Sequence, residues 1–426
     1  MAVRKRRWRT RIGDVKEAWV VDYVDQEGDR HIETFPRRKH AEARAAQIGV
    51  DVRAGVHTAV SKSITVAQAA ADWIRKVELD EREKSTIAHY RQHAKHITAR
   101  LGNQKLARLT KPRIEAFCDD LLASLSRPLA RKVLTSLKSL LRDAHRRGNV
   151  AQNVAADVKI GIDNRGRKKL KVGVDIPAPD EIKRILATVS GRLRPLLITA
   201  TFTGLRASEL RGLRWQDVDL HRSEVHVHQR ADRYNTIGKL KSASAQRTIP
   251  FGPLVRNTLR EWKLEYPRPF VEEVRQPHRP EHYVFPGPSG EIEHLSTIAR
   301  ALQTAMIQAE LTVAATDKDG KPIVDERGKP VLAAKYTGLH ALRHFYASWC
   351  INSRQDGGLE LPPKVVQARL GHASIVMTLD TYGHLFPRGD DGAELAAAEK
   401  ALWRDAVRSS SQTRWQAYPG HHRYCT

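Results

Sequence analysis

From about residue 63 to residue 158, apolar residues return every three or four positions. That is the period of helices that bury one stripe. Val66, Ala69, Ala70 and Trp73 follow Thr65, a residue type suited to capping a helix N-terminus. Ile87, Tyr90, Ala94 and Ile97 make a second stripe, and Ile114, Phe117, Leu121 and Leu122 a third. Val133, Leu137, Leu140 and Leu141 make a fourth, ended by Gly148 and Asn149. The pattern predicts an all-helical domain. Ahead of it the reading changes. Ala18 to Val24 is strand-like, Asp25 to Asp29 is a turn, and His31 to Phe35 returns. An alanine-rich helix then runs from about Arg38 to Ile48, so residues 1–60 read as a small hairpin-and-helix module.

Periodicity disappears in GIDNRGRKKLKVGVDIPAP, which is rich in Gly, Pro and charge. Residues 159–179 therefore read as a linker, with Arg165, Arg167, Lys168, Lys169 and Lys171 in it. Beyond it, Asp180 and Glu181 open a helix that turns Ile182, Ile185, Leu186 and Val189 inward. An apolar segment from Leu196 to Phe202 stops at Gly204. Val225 and Val227 alternate with polar neighbours and predict a strand. Arg247, Thr248 and Ile249 read as its partner across a loop containing Gly238. Residues 315–332 read as an inserted hairpin; its DKDG opens like a calcium loop, but the later ligand positions do not follow. Residues 180–405 thus form a mixed, mostly helical domain, and 406–426 a tail without amphipathic period. The fold class is mainly α with small β elements, in several domains.

Charge narrows the partners. Lys plus Arg number 73 against 48 for Asp plus Glu, a net charge of +25. So basic a chain suits a polyanion, and each phosphate it neutralises releases a condensed counterion. Arg4, Lys5, Arg6 and Arg7 precede the hairpin with no acid among them. The fourth helix carries Arg131, Lys132, Lys138, Arg142, Arg146 and Arg147 off its apolar stripe. These residues, with Lys168 and Lys169 of the linker, are candidate contacts to a DNA backbone; the plainer reading is solvated faces and a basic tail. Cys118, Cys350 and Cys425 show no C-x-x-C spacing, which argues against a disulfide framework and a zinc site. The basic N-terminus is followed by no apolar stretch, and no run has the length of a membrane span. A cytoplasmic protein with no membrane contact is expected.

Three segments carry chemistry. TGLRASEL surrounds Arg206, HALRH runs from His340 to His344, and LGHASIVMTLDTYGHL runs from Leu370 to Leu385 around Tyr382. Breaking a phosphodiester takes a nucleophile in line with the leaving oxygen and positive charge around the equatorial oxygens. Arg206 and Arg343 suit the second task, because a guanidinium stays charged and offers a planar fork to two oxygens. Tyr382 offers a phenol, whose ordinary pKa of about 10 calls for a base or a strongly positive setting. His340 and His344 lie four apart, on one helical face. A metal pair is a poor reading of them, since no intervening H-E-x-x-H glutamate and no Cys or Asp cluster completes a site. His340 is the better placed as general base or phosphate donor, whereas His344 reads as a core or capping histidine. His372 either donates to the same phosphate or caps the turn at Leu370 and Gly371. Lys241 is a candidate acid for the leaving 5′ oxygen, with Lys239 a close competitor in the same loop. None of this chemistry calls for a metal or a cofactor.

In this order the segments resemble the tyrosine recombinase family, and phage-type integrases in particular. TGLRASELRGLRWQDVDL resembles the family's first arginine box and HALRHFYASW its second. LGHASIVMTLDTYGHLF resembles the segment that ends in the nucleophilic tyrosine. The resemblance implies that Arg206 and Arg343 clamp the scissile phosphate, His340 is the base, and His372 is a second histidine at the phosphate. It makes Lys241 the general acid, Tyr382 the nucleophile and Glu209 a support. It further implies an arm-site module at 1–60, a helical core-site domain at 63–158 and a catalytic domain at 180–405. Double-stranded DNA attachment sites, a homotetramer acting through a 3′-phosphotyrosyl ester and a DNA-bending accessory protein complete the expectation. The chain departs from the family pattern in the long 315–335 segment and in its two-lysine hairpin. The alternatives are strand religation of the type IB topoisomerase kind and a catalytically silent DNA-binding regulator. A metal-dependent nuclease lacks its carboxylate cluster.

Overall fold

The computed structural model describes residues 1–10, 13–55, 57–161, 169–240, 242–265, 270–271, 274–275, 279–317, 320–387, 392–393 and 395–403. The chain divides into two compact units, residues 1–167 and 168–426.

The first unit opens with a three-stranded antiparallel sheet, β1 (Ala2–Arg9), β2 (Val15–Val24) and β3 (Arg30–Phe35). The sequence suggested only a hairpin behind a basic arm, but the arm is itself a strand. Its register explains why. Lys5 lies opposite Trp19 and Arg7 opposite Glu17. The cations therefore find acids across the strand pair: Arg4 bonds Asp22 at 2.9 Å, and Lys5 and Arg7 each bond Glu17 at 2.8 Å. These pairs are solvent-exposed and contribute little individually. Helix α1 (Arg38–Arg53) lays Ala41, Ala45 and Ile48 on Val21 and Tyr23. The acids Asp25, Glu27 and Asp29 in the β2–β3 turn all meet the Lys62 ammonium.

Four helices follow: α2 (Val66–Leu79), α3 (Lys84–Leu101), α4 (Lys111–Ser124) and α5 (Arg127–Arg146). Thr65 begins α2 as expected, in a reciprocal cap with Gln68. Trp73, Ile97, Phe117, Leu137 and Leu141 share one core. The polar ring of His93 is buried beside them and is satisfied by Ser136 Oγ at 2.8 Å.

The second unit begins with α6 (Pro179–Thr188), α7 (Arg194–Thr203) and the short α8 (Ala207–Arg211). A sheet of β4 (Val218–Asp219), β5 (Glu224–Val227) and β8 (Arg247–Pro250) follows, in the order β4-β5-β8. The loop expected between β5 and β8 holds a separate hairpin, β6 (Gln229–Ala231) and β7 (Ile237–Lys239). Then come α9 (Pro253–Glu265), the two-residue strands β9 (Phe270–Val271) and β10 (Val274–Arg275), and α10 (Leu295–Gln308). Strands β11 (Thr312–Ala314) and β12 (Leu332–Ala334) pair at the base of the inserted hairpin. Helices α11 (His340–Ile351), α12 (Pro363–Leu370) and α13 (Ile375–Tyr382) follow.

Helix α7 is the centre of this unit and is buried on nearly every side, which accounts for its lack of a charged face. Its three buried threonines stay satisfied inside the helix. Thr199, Thr201 and Thr203 each donate to the carbonyl four residues back, at 2.6 to 2.8 Å. No helix among the described residues is long and apolar enough to cross a membrane. Cys118 and Cys350 are buried and unbridged, and Cys425 lies outside the described residues.

The helical core makes one direct prediction. Leu137 is fully buried, so Leu137→Ala lowers the unfolding free energy of the first unit by about 2–5 kcal/mol. A urea titration followed by circular dichroism reads this as a lower midpoint, and an unchanged midpoint contradicts the packing described.

Candidate active site

The site is assembled where two helices end. Helix α7 stops at Gly204 and α12 at Gly371, both in the left-handed conformation at φ +62°. Neither position tolerates a side chain. A Cβ on Gly204 would lie 2.3 Å from the Tyr346 ring, and one on Gly371 would lie 2.9 Å from an Arg247 nitrogen. A helix C-terminus leaves carbonyls without intrahelical donors and concentrates negative potential there. Here arginines supply the missing donors. Arg343 reaches Gly204 O at 2.6 Å and Leu370 O at 2.5 Å. Arg206 reaches Gly371 O at 3.1 Å, and Arg247 reaches Arg369 O at 2.8 Å.

Glu209 holds the arginines together. From its place in α8 it accepts from Arg206 Nη1 at 2.7 Å and from the two terminal nitrogens of Arg247 at 3.2 and 2.9 Å. It also accepts the backbone N–H of Arg206 at 2.9 Å. Burial alone would raise its pKa, but the bonds and charges of Arg247 and Arg206 outweigh burial and hold the carboxyl below its ordinary range. Arg343 is only 2% exposed, whereas the Arg206 side chain is 35% exposed. Arg206 therefore offers the accessible guanidinium edge. Burial and the charge of Arg206 pull Arg343 down to about 9. An approaching anion would relieve both effects. Each guanidinium has five N–H donors, so the two protein bonds made by each of Arg206 and Arg343 leave others for an anion's oxygens.

Tyr382 ends α13 and is 2% exposed. Its hydroxyl lies 2.7 Å from Nδ1 of His344. Burial raises the phenol to about 12, against the opposing charges of Arg343 and Arg206. His340, the first residue of α11, sets its ring edge-on to His344 with 4.5 Å between centroids. Crowding by protein, then Arg343 and Arg206, push His340 below its ordinary value. His372 is parallel to the Tyr382 ring at 6.4 Å, and its Nδ1 meets Thr378 Oγ1 at 3.0 Å. Burial and nearby cations push His344 and His372 to about 4, so both are neutral at pH 7.

Arg206, Glu209, His340, Arg343, His372 and Tyr382 thus surround one site. Lys241 lies outside the described residues. Lys239 is exposed in β7, opposite Gln229. Two members were not read from the sequence as parts of the site. Arg247 was visible only as the first residue of a strand, because its partners are far away in the chain. His344 was assigned to the core or to a cap. Its four-residue spacing from His340 was the available signal, since it puts both rings on one face. The described residues place His344, rather than His340, on the tyrosine hydroxyl. Among the candidate DNA contacts, Arg6, Arg142 and Lys169 are exposed. Arg4, Lys5 and Arg7 are already ion-paired. Lys138 is half-buried and donates to Ala156 O at 2.9 Å, and Lys168 lies outside the described residues.

Residues 178–388 match the model of the phage integrase family. The chain is a tyrosine recombinase carrying a phage integrase domain. The recombinase is 26% identical over 359 residues to a XerC-like tyrosine recombinase of Caldanaerobacter subterraneus subsp. tengcongensis, covering 82% of this chain and 87% of that one. It is 24% identical over 301 residues to the ICEBs1 integrase of Bacillus subtilis, covering 69% and 72%. Its fold is similar to that of the Tn1549 transposon integrase in complex with transposon right end DNA, with a TM-score of 0.58 and 19% identity over 80% of this chain and 100% of that chain. A lambda integrase tetramer bound to a Holliday junction gives a TM-score of 0.52 at 16% identity, covering 88% and 95%. The recombinase breaks and rejoins DNA strands in site-specific recombination.

The buried carboxylate sets a pH test. A carboxyl held below its ordinary value of 4.5 adds stability that is present above that pH and lost as pH falls through the lower folded value. Glu209→Gln leaves Arg247 without its counter-charge and costs about 3–5 kcal/mol at pH 7. Urea midpoints of the wild type and the variant should converge below pH 4.5. A gap independent of pH contradicts the charge assignment.

Proposed function

We propose that Tyr382 attacks a scissile phosphodiester of duplex DNA gripped by Arg206 and Arg343. The observation that carries this reading is the confinement of a buried phenol, two guanidiniums and neutral imidazoles to one site. In the first step the Tyr382 oxygen bonds to phosphorus and the bond to the 5′ oxygen breaks, leaving a 3′-phosphotyrosyl ester. Lys241, or Lys239 of β7, protonates the departing 5′ oxygen. A 5′ hydroxyl from a partner duplex then attacks the ester and releases the tyrosine. Bond energy is conserved in the ester, so the exchange needs no nucleotide. His340 and His372 donate to the nonbridging oxygens, and Glu209 holds the Arg206 edge toward them.

The rest of the chain is assigned accordingly. The 1–60 module engages arm-type sites, with the exposed Arg6 available to phosphate and Arg4, Lys5 and Arg7 exchanging their acids for it. The 63–158 domain grips the core site through Arg142 and the remaining donors of Lys138. The basic linker at 159–179, including Lys168 and Lys169, follows the phosphate backbone where it joins that domain to the catalytic one. Four protomers act on paired attachment sites of a phage or other mobile element in the cytoplasm, with a DNA-bending protein shaping the complex. The relatives named as integrases of a transposon and of ICEBs1 support a mobile-element role.

Three outcomes are expected. Tyr382→Phe binds a nicked suicide duplex as the wild type does but forms no adduct resistant to denaturing electrophoresis; any residual adduct removes Tyr382 as nucleophile. Arg206→Ala slows adduct formation by roughly 10²–10³-fold, by analogy with loss of one oxyanion donor at about 3–4 kcal/mol. Its rate in single-turnover trapping at saturating enzyme reads this directly, and a wild-type rate contradicts the clamp. Affinity for the duplex falls steeply and linearly in log–log salt titrations, whereas a flat response contradicts a backbone-tracking protein.

A further inference from the structure

Three imidazoles belong to the site, two of them against the Tyr382 ring, and they are not equivalent. His372 is stacked parallel to the phenol ring, with its Nδ1 engaged by Thr378. His340 is exposed at the start of α11, one helical turn before His344. His344 is half-buried, and its Nδ1 lies 2.7 Å from the phenolic oxygen. We propose that His344 is the catalytic base that takes the phenolic proton as Tyr382 attacks DNA, and the acid that returns it when the tyrosine leaves. The proposal rests on the reading of Tyr382 as nucleophile.

Geometry comes first. A proton acceptor must lie about 2.6–3.2 Å from the oxygen it serves, and among the described residues His344 meets that requirement. Its state is also suitable. Burial, His340 and Arg343 keep the ring neutral, so with the ring proton on Nε2 the Nδ1 lone pair faces the hydroxyl. In the forward step the proton moves from Oη to Nδ1 while the O–P bond forms. The bond to the 5′ oxygen breaks, and that oxygen takes a proton from the lysine acid, Lys241 or Lys239. In the reverse half, the attacking 5′ hydroxyl gives a proton to the same lysine. The imidazolium gives its proton back to Oη as the ester breaks. An imidazolium beside Arg343 is disfavoured until negative charge builds on the phosphate oxygens. Proton transfer is therefore coupled to attack, and the tyrosine stays a phenol until DNA is in place. His340, at the exposed edge beside the arginines, is left free to donate to the phosphate.

The test uses the full chain on a nicked suicide duplex carrying the core attachment site, with His344→Gln, His344→Ala, His340→Gln and Tyr382→Phe. Glutamine at 344 keeps a group that can bond the hydroxyl but cannot take its proton. Both His344 variants should bind DNA normally and form adduct roughly 10²–10⁴-fold more slowly. Added imidazole should restore His344→Ala in proportion to its free-base concentration, a response that a packing role would not produce. Adduct formation by His344→Gln within a few fold of wild type overturns the proposal, and so does loss without imidazole rescue. Adduct from Tyr382→Phe would instead defeat the underlying nucleophile assignment.

Discussion

The capping of two helix ends by three arginines is the interaction on which the rest of the second unit depends. Helices α7 and α12 each terminate at a left-handed glycine, and their last carbonyls need donors that the helices cannot supply. Arg343 bridges both ends, Arg206 and Arg247 take the remaining carbonyls around Gly371, and Glu209 ties Arg206 to Arg247. Cations clustered this closely repel one another, and one buried carboxylate offsets only part of the repulsion. The arrangement that positions the helices therefore leaves a concentrated positive charge at one place. Its most direct use is to meet an anion whose charge grows during reaction, because the donors are already oriented and need not reorganise.

The same crowding governs the tyrosine. Burial opposes ionisation of Tyr382, and Arg343 and Arg206 favour it; burial wins, leaving the phenol near 12. The imidazoles beside it are neutral for the same two reasons, burial and neighbouring cations. At rest the site thus holds a protonated nucleophile next to an unprotonated acceptor. A phosphate entering the site changes the local charge balance in the sense that favours moving the proton.

Much of this was legible in the chain. The helical bundle followed from four apolar stripes, because a stripe at period 3.6 has one way to be buried. Thr65 capped its helix for a local reason, reciprocal bonding with Gln68 three residues on. Arg206, Arg343 and Tyr382 stood out through compact motifs. The features that escaped depend on partners distant in sequence. Strand β1 was hidden because its acids, Asp22 and Glu17, lie on the neighbouring strand. Arg247 gains its meaning from Glu209 and from Arg369 O, which lie 38 and 122 residues away along the chain. His344 carried a usable spacing signal, but the choice between core packing and contact with Tyr382 is made by the docking of α13, which no local pattern records.

The central claim is that one phenol, Tyr382, becomes covalently joined to DNA. Protease digestion of the complex trapped on a suicide duplex, followed by mass spectrometry of the nucleotide-bearing peptide, tests it most directly. The account predicts a peptide modified at Tyr382 and linked to the 3′ end of the cleaved strand. Linkage through another residue, or to a 5′ end, would contradict it.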